Sequence, residues 1–163
     1  MSQHEARISW DLSGEDFTKG RYTREHRWTF DGGATVLASA SPSIVREPFS
    51  NAAGVDPEEA FVASISSCHM LTFLHLASKK GLTALRYEDR AVGTMTKNER
   101  GVPWMSAVVL EPRIEWQGAK PTAELLAELH HHAHEGCFIA CSVMTAISVK
   151  TGVEPASAAA AAR

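Results

Sequence analysis

The sequence predicts an α+β fold in which antiparallel sheets surround a long, buried central helix. Three observations lead to this class. Alternating apolar and polar residues fill much of the first forty positions, an uncharged helix-like stretch follows, and further strand-like segments flank a second helix. Strands and helices therefore occur in blocks, and not in the strict alternation that is typical of a parallel α/β sheet.

The N-terminal region is predicted to form strands. Residues 8–12 alternate apolar and polar side chains, and residues 28–30 repeat the pattern before the Asp-Gly-Gly turn at 31–33. Alternation resumes over residues 36–40, so a hairpin is the simplest account. Residues 41–55 contain prolines and other turn formers and are predicted to form a loop.

A long helix is predicted over residues 56–81. Asp56 is a suitable N-cap, Pro57 suits the first helical position, and Glu59 completes a capping-box pattern. Gly81 follows two lysines and is a typical helix stop. The helix is expected to be roughly 36 Å long.

This helix carries no Asp, Glu, Lys or Arg between Glu59 and Lys79, and its apolar side chains occur on every face. Such a helix is expected to be buried on all sides. A chain of 163 residues can hardly surround it alone, which predicts a second subunit. Interruptions by serine, threonine and histidine argue against a membrane span.

The later elements follow similar signals. Residues 84–96 and 104–116 are predicted to be two strands, joined by a turn at residues 98–101. Pro121-Thr122 opens a second helix that keeps one apolar stripe and stops at Gly136. Residues 147–155 are predicted to form a final strand.

Composition restricts the class of protein. Length favours one domain, which we place at residues 1–155, followed by an Ala-rich tail at 156–163 that we expect to be disordered. A net charge of −3 disfavours a nucleic-acid binder. The N-terminus lacks a signal-peptide pattern and the cysteine count is odd, so we expect reduced thiols and a cytoplasmic protein without a membrane partner.

The three cysteines are Cys68, Cys137 and Cys141. A free cysteine in an apolar helix is more often a small hydrophobic residue than a reactive one. A peroxidatic thiol also needs a second thiol to capture its sulfenic acid. Cys137 and Cys141 lie four positions apart and would share a helical face, so either could do this.

Three segments resemble the OsmC/Ohr family of thiol peroxidases. Residues 56–68, DPEEAFVASISSC, are similar to the family's cysteine helix, and residues 133–149, AHEGCFIACSVMTAISV, are similar to its second-cysteine segment. Residues 22–33, YTREHRWTFDGG, resemble the N-terminal strands of the OsmC-like branch. The resemblance extends over nearly the whole chain up to residue 155.

The resemblance implies a peroxidatic Cys68, a resolving Cys137 and a glutamate ten residues before the first cysteine, which is Glu58. It also implies an arginine that stabilises the thiolate, for which Arg24 is our first choice. Two other arginines are alternatives: Arg21 and Arg46. Cys141 departs from the family pattern and is an alternative resolving thiol. No cofactor is expected.

Geometry adds an expectation that is independent of the resemblance. Glu58 and Cys68 lie ten positions apart, roughly 15 Å along one helix, which a glutamate side chain cannot span. If Glu58 acts at Cys68, it acts most simply from another subunit, in an intertwined homodimer with antiparallel central helices. The expected function is reduction of organic hydroperoxides, with an external dithiol restoring both thiols. Four apolar residues are expected to favour alkyl substrates: Phe61, Met70, Leu71 and Phe138.

Two other classes remain open. His130 and His134 are spaced i, i+4 with Cys137 nearby, an arrangement that can bind zinc. Alternatively, the dimer could bind a hydrophobic ligand without catalysis. In that case Cys68→Ser should leave ligand binding intact.

Overall fold

A computed structural model of the chain describes residues 1–151. Ten strands and two α-helices follow one another in the order five strands, helix, four strands, helix, strand. The α+β class predicted from the sequence is confirmed. The predicted Ala-rich tail lies outside the described residues, as does the end of the predicted final strand.

The backbone contacts divide the chain into two compact units, Met1–Phe61 and the residues from Val62 onwards. The single domain expected over residues 1–155 stays a prediction. The long helix begins in the first unit and continues in the second. Each unit contains two small sheets.

The first unit contains five short strands. Its three-stranded antiparallel sheet has the order β1-β4-β5, in which Trp28 pairs with Ile8 on one side and Val36 on the other. This is the predicted hairpin with the N-terminal strand added. A separate pair, β2-β3, surrounds a 3₁₀ turn and was not predicted. The strand bounds are β1 Ala6–Ser9, β2 Gly14–Asp16, β3 Arg21–Tyr22, β4 His26–Phe30 and β5 Thr35–Ala38.

The second unit contains the other five strands. One sheet has the order β10-β8-β7, with β7 antiparallel and β10 parallel to β8, and the other is the antiparallel pair β6-β9. Each of the two predicted long strands is in fact two strands. The strand bounds are β6 Ala84–Asp89, β7 Val92–Lys97, β8 Pro103–Leu110, β9 Pro112–Trp116 and β10 Ala146–Val149.

Helix α1, Pro57–Lys79, has the predicted start. The amide of Glu59 donates to the Asp56 carboxylate at 2.7 Å, and the amide of Asp56 donates to the Glu59 carboxylate at 3.0 Å. This reciprocal pair is the capping box. Gly81 follows the helix with φ 75°, a left-handed conformation that favours glycine and ends the helix as expected.

Burial on α1 differs from the expectation of a helix covered on all sides. Within the single chain, four of its residues are buried, and they form one stripe at a spacing of four: Ile65, His69, Phe73 and Ala77. Leu71 is 62% exposed. The second subunit that was expected to cover the remaining surface stays a prediction. By length and composition α1 could cross a membrane, a test that core helices also pass.

Helix α2, Ala123–Gly136, begins where the sequence predicts, because the Thr122 hydroxyl accepts from the amide of Leu125. Its stripe, Leu129 and Ala133, packs against Phe73 and Ala77 of α1 to form a buried core cluster. This contact between the two helices positions the thiols, since Cys137 directly follows α2.

Candidate thiol site

Cys68 lies near the middle of α1 and is half-buried. Its backbone carbonyl accepts a hydrogen bond from the Thr72 hydroxyl, one turn later, at 3.0 Å. Its immediate neighbour, His69, belongs to the buried stripe. The thiol therefore sits at the edge of that stripe, between the core and the exposed face of the helix.

Cys137 is the C-cap of α2 and is 1% exposed. A close approach of the two helices brings it to Cys68. A Cβ atom placed on Gly136 would lie 3.2 Å from the Cγ2 atom of Thr72, so a larger residue would push the helix end away. Glycine at this position is favoured by this tight contact, and not by an unusual backbone conformation.

The Cys68 side chain lies close enough to Cys137 to influence the pKa of its thiol. Burial, followed by the nearby Cys68 side chain, raises the pKa of the Cys137 thiol to about 11. The amide of Ala140 donates to the Cys137 sulfur at 3.4 Å and opposes this shift only in part. Cys137 therefore stays protonated at neutral pH and can donate its S–H to a Cys68 thiolate.

Cys141 has different surroundings. Its side chain is exposed, and its S–H donates to the carbonyl of Glu135 at 3.4 Å. Its amide donates to the carbonyl of Cys137 at 3.0 Å, so the two cysteines share one turn of backbone. The structure thus joins Cys68 to Cys137 and leaves Cys141 at the surface of the same loop.

A buried histidine pair lies beside the thiols. Nε2 of His69 and Nδ1 of His130 are 3.0 Å apart, their rings are nearly parallel, and the Phe73 ring stacks on His130. Burial lowers the pKa of both imidazoles to about 4. Both are neutral at pH 7, so one hydrogen atom lies between them. Nδ1 of His69 is buried and has no hydrogen-bond partner among residues 1–151.

Sequence reasoning missed this pair. His69 has the i, i+4 spacing of the buried stripe, which is the signal that could have identified it as a core residue. The sequence indicates His130 only as a possible zinc ligand together with His134 and Cys137. The structure directs His130 into the core, and among residues 1–151 no group of three or more His, Cys, Asp or Glu is arranged to hold a metal. The zinc hypothesis therefore finds no ligand set in the described chain.

Arg24 lies in the first unit and folds back over its own segment. Its Nη1 atom donates to the carbonyls of Gly20 at 2.8 Å and Tyr22 at 2.6 Å, and the guanidinium stacks on the Tyr22 ring at 3.8 Å. It lines a cavity of about 460 Å³. The other lining residues are mostly apolar or aromatic: Ile8, Trp10, Phe17, Tyr22, His26, Ser39, Ala40 and Pro57.

The other predicted charged residues are distributed over the first unit. Glu58 is half-buried in the first turn of α1, next to Pro57, which lines the same cavity as Arg24. Arg21 and Arg46 are both exposed. Arg24 is thus the arginine that lies in a concave apolar site.

Comparisons with known proteins agree with this architecture. The family model described as OsmC-like protein matches residues 50–152. The chain is similar to the structure of an OsmC-like protein of unknown function from Vibrio cholerae, with 49% identity, a TM-score of 0.89, and coverage of 92% of this chain and 99% of that one. No curated protein matches the chain.

More distant structures share the fold. An organic hydroperoxide resistance protein from Elizabethkingia anophelis is 16% identical, with a TM-score of 0.68 and coverage of 93% of this chain and 98% of that one. The organic hydroperoxide resistance protein OhrB of Bacillus subtilis is 19% identical, with a TM-score of 0.59 and coverage of 90% and 95%. The resemblance to this family's fold is confirmed.

Proposed function

We propose, from the premise that this chain belongs to the OsmC-like protein family, that it is a cysteine-based peroxidase that reduces organic hydroperoxides. The observation that carries the proposal is the position of Cys137 at the end of α2, close enough to Cys68 of α1 for the Cys68 side chain to help raise the pKa of the Cys137 thiol. Two structurally similar proteins are described as organic hydroperoxide resistance proteins, which supports this class of substrate.

The environments of the two thiols support different roles. Because the raised pKa of Cys137 keeps that thiol protonated, we assign the nucleophilic role to Cys68 and the role of S–H donor to Cys137. The Cys68 thiolate attacks the terminal peroxide oxygen. An S–O bond forms, the O–O bond breaks, and the alkoxide leaves as the alcohol after taking a proton.

Cys137 then resolves the sulfenic acid on Cys68. Its sulfur attacks the Cys68 sulfur, the S–S bond forms, and hydroxide leaves as water once the Cys137 proton is transferred. An external dithiol reduces the disulfide by exchange in a reducing, cytoplasmic setting. Exposed Leu71 and Phe138 lie close in sequence to the two thiols and favour an alkyl substrate over hydrogen peroxide.

Arg24 and Glu58 complete the proposed site from a second chain. The arginine and the first turn of α1 line one cavity, and Glu58 cannot reach Cys68 of its own helix. We place the Arg24–Glu58 pair of one subunit beside Cys68 of the other in a homodimer. The exposed apolar surface of α1 supports such an interface.

Thiol mapping tests the chemistry. One equivalent of cumene hydroperoxide should convert the reduced protein to a Cys68–Cys137 disulfide, detected by mass spectrometry of unreduced peptides. Cys68→Ser should abolish peroxide consumption, whereas Cys141→Ser, the matched control, should retain a single turnover. Unchanged thiols in the wild-type protein would overturn the proposal, and faster turnover of hydrogen peroxide would reject the alkyl preference.

Subunit mixing tests the composite site. Glu58→Gln and Cys68→Ser are each expected to be inactive, and mixed dimers should regain about a quarter of wild-type activity, because half are hybrids with one intact site of two. No recovery after verified subunit exchange would place Glu58 and Cys68 in the same chain. Arg24→Ala, compared with Arg21→Ala, tests the choice of arginine.

The cavity in the first unit also supports the alternative of hydrophobic-ligand binding without catalysis. The two functions differ in whether they require the Cys68 thiol. Under the alternative, a fluorescent fatty-acid probe binds Cys68→Ser as tightly as the wild-type protein, and peroxide produces no disulfide in either.

A further inference from the structure

We propose that Cys141 is a third reactive thiol, which carries the disulfide from the buried site to the protein surface where the reductant acts. This inference rests on the proposed peroxidase function and extends it to the reductive half of the cycle. It assigns a role to the cysteine that departs from the family pattern.

The need for such a step follows from burial. Cys137 is 1% exposed, and its partner sulfur, Cys68, is half-buried in α1. Exchange requires the attacking thiolate to approach a disulfide sulfur along the S–S axis. A small dithiol can approach the half-buried Cys68 sulfur. A dithiol carried on a protein surface is bulkier, and the other sulfur of the Cys68–Cys137 bond, that of Cys137, is covered. Cys141 is exposed and offers an accessible sulfur in the same loop.

Backbone geometry places Cys141 within reach of Cys137. The amide of Cys141 donates to the carbonyl of Cys137 at 3.0 Å, which closes one helical turn. Residues four apart in such a turn have Cβ atoms about 5–6 Å apart, and a disulfide needs about 3.5–4.5 Å. A shift of about 1 Å in the loop would therefore allow the bond.

The loop can accommodate this shift. Helix α2 has already ended at Gly136, and the 3₁₀ turn Ala140–Ser142 contains no buried residue. The Cys141 sulfur lies 3.4 Å from the carbonyl of Glu135, two residues before Cys137, so the side chain points back along the turn towards the Cys137 backbone. Adjustment affects exposed backbone and leaves the helix–helix core in place.

The chemistry balances without a further oxidant. The Cys141 thiolate, having lost its proton to solvent, attacks the Cys137 sulfur of the Cys68–Cys137 disulfide. The Cys137–Cys141 bond forms, the Cys68–Cys137 bond breaks, and the electron pair returns to Cys68 as a thiolate ready for the next peroxide.

An external dithiol then completes the cycle at the surface. Its first thiolate attacks the exposed Cys141 sulfur, and Cys137 leaves and takes up a proton. The second reductant thiol attacks the mixed disulfide, closes the reductant's own disulfide and releases Cys141. One dithiol is oxidised for each protein disulfide that is reduced.

Reduction kinetics test the proposal with Cys141→Ser in the full-length protein. Oxidation by one equivalent of cumene hydroperoxide should proceed at the wild-type rate. Reduction of the resulting Cys68–Cys137 disulfide by a protein dithiol of the thioredoxin type should slow by about 10-fold or more, and reduction by dithiothreitol by less than about 3-fold. Ser142→Ala, an exposed neighbour in the same turn, is the matched control and should match the wild-type rates. Equal rates for Cys141→Ser and the wild type with the protein dithiol would overturn the proposal.

A second measurement separates this inference from the peroxidase function. Cys68→Ser, equilibrated with a glutathione redox buffer, should form a Cys137–Cys141 disulfide that mass spectrometry can map. If the Cys137–Cys141 disulfide does not form in an oxidising buffer, the exchange step is contradicted, even if the wild type forms the Cys68–Cys137 disulfide with peroxide. Failure of the wild type to form any disulfide with peroxide would instead overturn the peroxidase proposal.

Discussion

The two helices present a contrast. Helix α2 is amphipathic, and its apolar stripe, Leu129 and Ala133, is buried in the core while polar residues face outward. Helix α1 is apolar on every face, yet within the single chain its buried residues form one stripe, while Leu71 remains exposed. The apolar stripe of α2 is fully covered by its own chain. The pattern on α1 exceeds what its own chain covers, and this excess is the reason for the homodimer proposed above.

The largest expected effect separates the buried stripe of α1 from its exposed face. Phe73→Ala removes a fully buried ring and should lower the free energy of unfolding by about 3–5 kcal/mol. Leu71→Ala should change monomer stability by less than about 0.5 kcal/mol. Urea unfolding at two protein concentrations measures both variants. If Leu71→Ala costs stability that depends on protein concentration, the exposed face is a dimer interface, whereas equal losses for both variants would contradict the contrast.

The second effect concerns the place where the two helices meet at His69 and His130. Burial lowers the pKa of both imidazoles to about 4, so folding favours their neutral forms. Their contribution to stability is full above the unfolded pKa of about 6.5 and is lost as the pH falls from there towards 4. Charging one imidazole of the pair should cost on the order of 3 kcal/mol.

Thermal unfolding between pH 7.5 and pH 5 measures this loss. Exposed His4, which lies outside the contact between the two helices, provides the control, and His4→Gln should leave this loss in place. Lys150 and Arg90 hold the pKa of the Glu111 carboxyl below its usual value. Such carboxylates change charge at lower pH, so they do not contribute to the stability change between pH 7.5 and pH 5. A flat profile over this interval would contradict a buried neutral pair.

A smaller effect is expected at the closest approach of the helices. Gly136→Ala would place its Cβ 3.2 Å from the Cγ2 atom of Thr72 and should destabilise the protein by about 1–2 kcal/mol. It should also slow formation of the Cys68–Cys137 disulfide, because the end of α2 moves away from α1. Stopped-flow oxidation measures this rate. Thr72→Ser removes the clashing methyl group, so the double variant should recover most of both losses, and no recovery would show that contact is not the reason for glycine.

The smallest effect tests how much α2 depends on its own cap. Thr122 accepts from the amide of Leu125 in the first turn, and Thr122→Ala should cost about 1 kcal/mol. Thr122→Ser preserves the hydroxyl and is the control. Chemical denaturation measures both, and an equal loss for serine and alanine would assign the effect to the threonine methyl group.

Local signals made much of the fold predictable. The capping box at Asp56 and Glu59, the glycine at 81 and the threonine cap of α2 act over three or four residues, and each helix begins where they indicate. The hairpin after Trp28 was predicted for the same reason.

The division of the predicted long strands could not be predicted. Long-range contacts connect the break between β6 and β7 to the break between β8 and β9. The amide of Glu111 donates to the Asp89 carboxylate, and the Glu111 side chain binds Arg90 and Lys150. No short pattern in the sequence contains this information. The strand pair β2-β3 was missed because its residues show no clear alternation.

The candidate site was predictable to a different extent. Residue spacing alone left both Cys137 and Cys141 open as partners of Cys68, and the helix contact at Thr72 and Gly136 is what brings Cys137 to the first sulfur. The His69–His130 hydrogen bond joins residues 61 positions apart. Such a contact depends on tertiary packing and leaves no periodic signal beyond one buried stripe.

The parallel pairing of β10 with β8 has a consequence for biogenesis. Thr145 and Lys150 anchor the last described strand to Met105 and Leu110, so the loop with Cys137 is held between α2 and a strand that is synthesised well after Cys68. Cys68 leaves the ribosome long before that strand can dock. A nascent chain therefore carries an unpaired sulfur until residues 146–149 have been synthesised, and termination before residue 146 would release a protein whose first thiol lacks a fixed companion.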